Sequence, residues 1–286
     1  MNAGEISVSI IMATFNRRHV TERCLSALKR CDLPENMKIQ ITVVDASSSD
    51  GTAEMLRQEH GNVDLISVPT NQYWAQCMRR AWEQAQRYNP EFILWLNDDV
   101  ILDSNALVDL FRTSARYGHR AIVSGATRNT EGQVSYTGYI RGPGSRKLSF
   151  SKLDVAGRDQ SCDAINGNIV LVPRQIDQLL GGFPRHYIHG MADFAYSLRA
   201  RKKGIRVIVA SGTAGLCDNN AVKGSWRDVS LGRRERLRLL NSPKGLPFNA
   251  WLRYCMSFGG PLSLAYFVKP YLDVLFRAGQ QFEFSK

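Results

Sequence analysis

The sequence predicts an α/β protein with a mostly parallel sheet flanked by helices, a smaller antiparallel sheet and a C-terminal helical extension. Three observations support this. Short apolar runs alternate with stretches of helical periodicity through the first 120 residues, which is typical of a parallel sheet covered on both faces. Residues 133–139 instead alternate between apolar and polar, like a half-exposed antiparallel strand. From about residue 216 the chain becomes more basic and aromatic.

The first part of the chain repeats a strand followed by a helix. The apolar runs that predict strands are residues 8–13, 39–44, 64–68 and 92–96. Helical spacing follows each run, and the last of these helices covers residues 104–117. Because crossovers between parallel strands are right-handed, the carboxyl ends of the strands meet at one edge of the sheet. The polar residues 14–17, 45 and 97–99 are therefore expected to converge.

The pattern changes after residue 120. Strands are predicted at 121–125, 169–172 and 205–210, a helix opens at Pro173, and an amphipathic helix spans 192–203. Residues 141–161 are polar and contain glycine without a recognisable period. We expect them to form a mobile loop that orders over substrate.

Two adjacent carboxylates, Asp98 and Asp99, end the apolar run 92–96. They repel each other, and an apolar core offers nothing to satisfy them. A divalent cation such as Mg²⁺ or Mn²⁺ would resolve the repulsion, since Asp oxygens suit these ions and substrate phosphates can complete the coordination shell. The alternative is a turn, with Asp103 or Ser104 capping the next helix.

Composition limits the classes of protein that fit. With 286 residues, 44% hydrophobic and 22% charged, the chain is typical of one globular domain with or without an appendage. A net charge of +11 favours anionic partners. The six cysteines are scattered without zinc-site spacing, which favours reduced thiols in the cytoplasm. Neither a signal peptide nor a membrane span is expected.

The segment after residue 216 allows two interpretations. Residues 221–286 carry eleven basic and four acidic side chains, mixed with aromatic and leucine residues. Such a segment suits the headgroup region of an anionic bilayer, which would make the protein peripheral at the inner face of the cell membrane. Alternatively, its helices pack on the preceding domain or on a second copy of the chain in a homodimer.

Seven short motifs, in this order, are similar to those of a known family. They are residues 13–17 (Ala-Thr-Phe-Asn-Arg), 43–52, 71–74 (Asn-Gln-Tyr-Trp), 96–99 (Leu-Asn-Asp-Asp), 166–168 (Asn-Gly-Asn), 190–200 and 242–247. The chain resembles family 2 glycosyltransferases with the GT-A fold, especially bacterial rhamnosyltransferase-like members that build cell-surface polysaccharide. The resemblance implies a catalytic domain over residues 1–215, with a nucleotide-binding half (1–120) and an acceptor half (121–215). Residues 216–286 would form the extension.

The resemblance implies roles on the donor side. Nucleotide binding is assigned to Thr14, Asn16, Arg17, Asp45 and Asp98, with Asp45 at the base and Asp98 at the ribose. The metal, Mn²⁺ or Mg²⁺, is assigned to Asp99, and Asp218 is a further candidate ligand. Such a cation would stabilise the departing nucleotide diphosphate.

It also implies roles on the acceptor side. Trp74, Asn166 and His189 would contact the donor or acceptor sugar, and Asp193 would be the general base. An inverting transfer needs a carboxylate that takes the hydroxyl proton as the anomeric carbon is attacked. The alternative for Asp193 is a helix cap or a favourable charge at a helix N-terminus.

One position departs from the family pattern. Members often carry a second acidic residue two positions after the base, where this chain has Ala195. We expect Asp193 to suffice on its own. An impaired protein that only binds nucleotide sugar or glycan is the alternative.

The resemblance favours dTDP-rhamnose or a UDP-sugar as donor and a glycan or lipid-linked acceptor. A nucleotidyltransferase or dehydrogenase is the main rival, but no strand is followed by a GxGxxG or GxxxxGK[ST] loop. Nucleic acid is not an expected partner, because the basic residues cluster without an aromatic RNA-binding motif or zinc spacing.

Overall fold

The computed structural model describes residues 5–155 and 157–276, so the predicted extension's last positions, 277–286, lie outside the described residues. The strands in the described residues are β1 (Ile6–Thr14), β2 (Met37–Asp45), β3 (Val63–Ser67), β4 (Phe92–Leu96), β5 (Ile101–Leu102), β6 (Ala121–Arg128), β7 (Val134–Tyr136), β8 (Gly138–Arg141), β9 (Phe150–Lys152), β10 (Gln160–Ser161), β11 (Ala164–Ile165), β12 (Ile169–Pro173) and β13 (Arg206–Leu216). The α-helices are α1 (Arg18–Lys29), α2 (Thr52–Glu59), α3 (Trp74–Ala85), α4 (Ala106–Arg116), α5 (Arg174–Leu180), α6 (Ala192–Lys202), α7 (Arg233–Leu240), α8 (Phe248–Phe258) and α9 (Ser263–Phe276).

The larger sheet follows the order β10-β13-β6-β12-β4-β1-β2-β3, with β5 beside β13 and β7 beside β6. Strands β3, β2, β1 and β4 are parallel, as predicted. Strand β12 lies antiparallel between β4 and β6. Because β12 runs opposite to β1, β2 and β4, its first residue lies at the edge of the sheet where those strands end.

Strand β4 is the centre of this sheet, and all five of its residues are buried. Phe92, Leu94 and Leu96 point to the core formed with α1, α2 and α4. Ile93 and Trp95 point to the core formed with α3, α5, α6 and α8. The sequence prediction of a strand buried on both faces is confirmed.

A smaller antiparallel sheet has the order β11-β8-β9. The predicted smaller sheet is therefore confirmed. The prediction for residues 141–161 is wrong, because these residues do not form one unstructured loop. They contain β9 and β10, and the turn between β8 and β9 is closed by the Gly142 N–H, which donates to the Ser149 carbonyl (2.8 Å). The strands were missed because they are short, polar and at the surface, so burial gives them no apolar period.

Helix α6 also differs from its prediction. The helix is present, but Ala192, Ala195, Tyr196, Leu198 and Ala200 are all buried, so the burial is not confined to one stripe. The reason is its position, in contact with β11, β13 and α5. An amphipathic pattern is expected only where one side of a helix faces water.

The described part of the extension contains α7, α8 and α9. Helix α8 is fixed to the preceding domain, because Ala250, Tyr254 and Phe258 lie in the core shared with α3 and α6. In the described residues, no helix combines the length and the apolar character needed to cross a bilayer.

The turn after α5 gives a test of the packing. Gly182 has φ +75°, and a Cβ there would lie 2.2 Å from Trp82 Cζ2, whereas Gly181 (φ +68°) has nothing within 4 Å. We expect Gly182→Ala to lower the free energy of unfolding by about 2–4 kcal/mol, from backbone strain and overpacking together. Gly181→Ala should cost only the backbone part, about 1 kcal/mol. Urea unfolding measures the loss of stability in both variants. Equal losses would show that the Trp82 side chain moves aside for a Cβ at position 182 without cost.

Candidate functional site

One edge of the larger sheet collects the polar residues singled out by the sequence. The register sets Thr14, at the end of β1, beside Asp45, at the end of β2. The β4–β12 ladder pairs Leu96 with Ile169, the first residue of β12. Residues 97–99 and 166–168 therefore leave the sheet side by side, and the predicted convergence is confirmed.

The guanidinium of Arg17 lies between the two adjacent carboxylates. Its Nη1 is 2.9 Å from Asp98 Oδ1 and 2.8 Å from Asp99 Oδ2. One cationic nitrogen thus offsets the repulsion that the sequence places after β4. Arg17 follows β1 and the acids follow β4, and these neighbouring parallel strands end at the same edge.

Asp98 is the more deeply placed of the two acids, with 5% of its surface exposed. Burial raises the pKa of Asp98 to about 6, the Arg17 charge opposes this rise, and the Asp99 charge adds to it. Thr21 Oγ1 lies 3.5 Å from Asp98 Oδ2 and 2.8 Å from Thr14 Oγ1. Thr14, assigned to the nucleotide, therefore belongs to a buried chain of polar groups that ends at Asp98.

Asp99 is more accessible and is contacted from β13. The Cys217 thiol lies 3.5 Å from Asp99 Oδ1, and Asn168 Nδ2 lies 3.7 Å from the same sulfur. The side chain of the neighbouring Asp218 is hydrogen-bonded to a different segment, since its Oδ1 accepts the Thr130 N–H at 3.0 Å. The structure thus brings Cys217 into contact with Asp99 and engages the Asp218 carboxylate with Thr130.

The residues present fit a divalent ion shared with a phosphate ligand. Asp98 and Asp99 offer carboxylate oxygens close together, and Asp99 is open to solvent at 27% of its side chain. Within residues 5–155 and 157–276, no group of three or more His, Cys, Asp or Glu side chains gathers as a ligand set. Mg²⁺ characteristically takes one or two carboxylates and completes its shell with water and phosphate, which suits this donor set.

The loops after β1 and β2 are held together by a network of hydrogen bonds. The Asn16 N–H donates to Ser48 Oγ (2.8 Å), and Asn16 Oδ1 accepts the Ser49 N–H (2.8 Å). Asp45 is 1% exposed and accepts both the Ser48 N–H (3.0 Å) and the Ser48 hydroxyl. Asn16 and Ser47 have φ of +50° and +53°. Such left-handed backbone is uncommon for these residues and concentrates at ligand-binding loops.

Trp74 links the two halves of the site. Its Nε1 donates to Asn97 Oδ1 (2.8 Å), and Asn97 Nδ2 donates to Asn168 Oδ1 (2.8 Å). A Cβ on Gly167 would lie 2.7 Å from the Trp74 ring and 3.5 Å from the Asp193 Cβ. The indole therefore packs on the backbone of Gly167, between the acid pair and Asp193.

Asp193 lies in the first turn of α6 and is held by two backbone donors. Its Oδ2 accepts the Gly167 N–H (3.0 Å) and its Oδ1 accepts the Phe194 N–H (2.9 Å). Burial raises the pKa of Asp193 to about 6, although these two hydrogen bonds favour the charged form. A carboxylate with such a pKa is ionised at neutral pH and is more basic than an ordinary Asp. The cap before α6 is Met191, with φ +70°, so Asp193 is not the N-cap residue.

Two further predicted residues carry buried polar atoms without a partner among the described residues. These atoms are Asn166 Oδ1 and His189 Nδ1. Burial, aided by the Lys244 and Arg17 charges, lowers the pKa of His189 to about 4. The imidazole is therefore neutral at pH 7. Buried polar atoms without a partner are rare in native proteins, so these two atoms are candidates for hydrogen bonds to a ligand.

Sequence reasoning missed three residues of this region. Thr21 extends the polar chain to Asp98, Gly167 gives its N–H to Asp193, and Cys217 contacts Asp99. Gly167 lies in the Asn-Gly-Asn motif, residues 166–168. Cys217 follows the last predicted strand by a few residues, and this position near a strand end is the signal by which it could have been found.

Comparison with known proteins identifies the family. The family model described as "Glycosyl transferase family 2" matches residues 9–177. The GalNAc(5)-diNAcBac-PP-undecaprenol beta-1,3-glucosyltransferase of Campylobacter jejuni is 28% identical over 132 residues, which are 45% of this chain and 40% of that protein. Glycosyltransferase AglE of Haloferax volcanii is 26% identical over 219 residues, 73% of this chain and 66% of that protein. The matches span less than two thirds of each relative's length.

Solved structures share the fold, which is of the GT-A type. The mannosyltransferase PcManGT from Pyrobaculum calidifontis, in complex with GDP-Man and Mn²⁺, has a TM-score of 0.53 at 18% identity, covering 95% of this chain and 70% of that one. A fragment of S. aureus TarS in complex with UDP-GlcNAc has a TM-score of 0.59 at 14% identity, covering 94% of this chain and 90% of that one. At these identities the likeness shows the fold.

Ala195 gives a test of the site's departure from the family pattern. It is 4% exposed and lies in the core. We expect Ala195→Asp to lower the free energy of unfolding by about 3 kcal/mol or more at pH 7, because a carboxylate is buried without a partner. Ala195→Asn, which matches the volume without the charge, should cost less. Unchanged stability of Ala195→Asp, together with a gain in transfer activity, would show that this chain lacks a needed second acid.

Proposed function

The chain belongs to glycosyltransferase family 2, and from that premise we propose that it is an inverting hexosyltransferase. It moves a sugar from a nucleotide-diphosphate donor to a hydroxyl of a cell-surface glycan or lipid-linked acceptor. The observation that carries the proposal is the convergence of two acidic groups, Asp98–Asp99 and Asp193, at one edge of the sheet. Trp74, Asn97 and the 166–168 segment join them by the contacts described above.

The donor binds, in this proposal, over the ends of β1, β2 and β4. Thr14, Asn16 and Arg17 line the nucleotide pocket, Asp45 holds the loop that meets the base, and Asp98 faces the ribose. The resemblance favours dTDP-rhamnose or a UDP-sugar. The structures with this fold were solved with GDP-Man and with UDP-GlcNAc, so the base is not fixed by the fold.

Asp99 would hold Mn²⁺ or Mg²⁺. A bound ion supplies positive charge to the diphosphate as it departs. Arg17 adds a permanent positive charge at the same place, because a guanidinium keeps its proton at any pH at which proteins fold. Its contacts with both acids keep Asp98 ionised against the cost of burial. The thiol of Cys217 limits the freedom of Asp99 from the other side.

Asp193 takes the proton from the acceptor hydroxyl. The N–H groups of Gly167 and Phe194 fix the carboxylate plane, and such an oriented base contributes about 10²–10⁴-fold to a rate. Asn166 Oδ1 offers an acceptor atom, and His189 Nδ1 offers a hydrogen-bonding nitrogen, for sugar hydroxyls. Because the His189 imidazole is neutral at pH 7, one of its nitrogens donates a hydrogen bond and the other accepts one.

The acceptor is a glycan or a lipid-linked glycan. The name of the Campylobacter relative specifies an undecaprenol-linked acceptor for that protein, which supports a lipid-linked acceptor here. Such a reaction places the protein at the cytoplasmic face of the membrane. The experiment that tests the proposal is a panel of sugar nucleotides, with dTDP-rhamnose and UDP-sugars among them, assayed for binding and for hydrolysis with and without Mn²⁺.

Two results would reject the proposal in different ways. Binding without turnover of any sugar nucleotide, even with lipid-linked glycans present, would indicate an impaired binding protein. Release of pyrophosphate instead of a nucleoside diphosphate would indicate a nucleotidyltransferase.

The role of Asp193 predicts a pH dependence. Its raised pKa of about 6 means that the carboxylate is charged and able to accept a proton above that pH and is protonated below it. We expect kcat/KM to be level near neutral pH and to fall about tenfold per pH unit below about 6. Asp193→Asn should lower kcat by about 10²–10⁴-fold.

Two controls separate Asp193 from two buried acids, Asp177 and Asp98. Asp177 also has a pKa raised by burial but lies on α5, bonded to Trp82 and Tyr196, so Asp177→Asn should keep the acid limb of the profile. Asp98 shares the pKa of about 6. If the residual rate of Asp193→Asn still falls below pH 6, the acid limb belongs to Asp98 and not to Asp193.

The metal role of Asp99 predicts a change in ligand binding. We expect a nucleoside diphosphate with Mn²⁺ to raise the Tm by several degrees at saturating concentrations, and either one alone to raise it much less. Asp99→Asn should abolish the joint effect, which differential scanning fluorimetry measures. Asp218→Asn should keep it, because the Asp218 carboxylate is bonded to Thr130. Equal loss in both variants would make Asp218 a ligand as well.

A further inference from the structure

Helix α9 carries a row of large apolar side chains that face solvent. We call this row the α9 stripe, and its members are Leu264 (64% exposed), Val268 (41%), Leu272 (46%), Leu275 (40%) and Phe276 (76%). They recur three or four positions apart, so they lie on one side of the helix. A contiguous apolar surface of this kind marks an interaction site more often than chance exposure does.

The opposite side of α9 already holds the helix on the protein. Ser263, Pro270 and Val274 are buried. The Trp251 indole of α8 donates to the Phe267 carbonyl (3.1 Å), and the Tyr271 hydroxyl is 3.1 Å from Asn241 Oδ1. The stripe is therefore not needed to attach the helix, and its exposure is a property of a helix that is already fixed.

The surroundings of the stripe are basic. Residues 233–276 carry seven basic and two acidic side chains. Arg233 and Arg234 on α7 are exposed, and α7 packs against α9. A second copy docked through this face would bring like charges together, which opposes association. An anionic surface would complement the charge.

We propose that the α9 stripe inserts into the headgroup region of an anionic bilayer, with the neighbouring arginines on lipid phosphates. Within the described residues, helix α9 covers 14 positions, fewer than the roughly 20 needed to span a bilayer. Apolar residues along one side of a helix with basic residues nearby are typical of helices that lie in the membrane plane.

The inserted helix would be rigidly connected to the acceptor side of the site. In α8, Tyr254 contacts the Tyr187 ring (centroids 6.3 Å apart), just before the segment that leads to Asp193. Lys202, at the end of α6, donates to the Ser257 carbonyl (2.5 Å) and lies over the Phe258 ring. The bilayer would then hold the general base near a lipid-linked acceptor. The placement of the general base near the acceptor rests on the proposed function, whereas the binding of α9 to the bilayer does not.

The test is flotation of the full chain with phosphatidylcholine vesicles, with and without phosphatidylglycerol, in the absence of any substrate. We expect binding only to the anionic vesicles, and weaker binding at higher salt. Leu272→Asp should weaken it by about tenfold or more, because a charge enters the apolar contact. The matched control is Leu179→Asp on α5, where the leucine is 62% exposed but lies outside the stripe; this variant should bind as the parent does.

Three outcomes would overturn the proposal. They are no flotation of the parent, equal flotation of the Leu272→Asp and Leu179→Asp proteins, or a dimer in size-exclusion chromatography that Leu272→Asp alone dissociates without any lipid effect. The last result would assign the stripe to a second copy. Circular dichroism of both variants verifies that α9 remains folded. Because no sugar transfer is measured, failure here leaves the proposed reaction intact, and failure of the reaction leaves the docking intact.

Discussion

Two like charges at the end of a strand buried on both faces need a nearby positive charge, and the arrangement of the site follows from that need. All five residues of β4 are buried, and Asp98, two residues after the strand, is buried as well. Arg17 satisfies both acids because β1 is the parallel neighbour of β4 and ends at the same edge. The pKa of Asp98 is still raised, chiefly because burial disfavours its charged form, and the Arg17 charge only partly offsets that cost.

The reversed direction of β12 makes this edge a two-sided site. A parallel strand in that position would send residues 166–168 to the far end of the sheet. As it is, Asn168 meets Asn97, and Gly167 offers its N–H to Asp193. The parallel strands bring Arg17 and the acid pair, the antiparallel strand and α6 bring Gly167 and Asp193, and Trp74 is packed between the two groups.

The parts of the molecule that were predictable are those where burial imposes a period on the sequence. The four strands β1 to β4 and the helices between them are such parts, since both faces of the sheet are covered. Strands β9 and β10 are short, mostly polar and at the surface, so their sequences carry no such period, and the sequence predicts a loop over residues 141–161 instead. The contacts of Cys217 with Asp99 and of Gly167 with Asp193 join segments far apart in sequence. They depend on strand order and direction, which local patterns do not specify. The roles of individual residues came from the family resemblance and not from periodicity.

Gly167 has no side chain, and the Trp74 indole fills the space where one would be. The two positions therefore share a single volume, although 92 residues separate them along the chain. A larger residue at position 167 needs a smaller one at position 74, and the smaller one would also give up the bond to Asn97. Changes in the packing at position 167 are thus tied to the support of the acid pair. A lineage that acquires a larger residue there would have to alter both positions at nearly the same time.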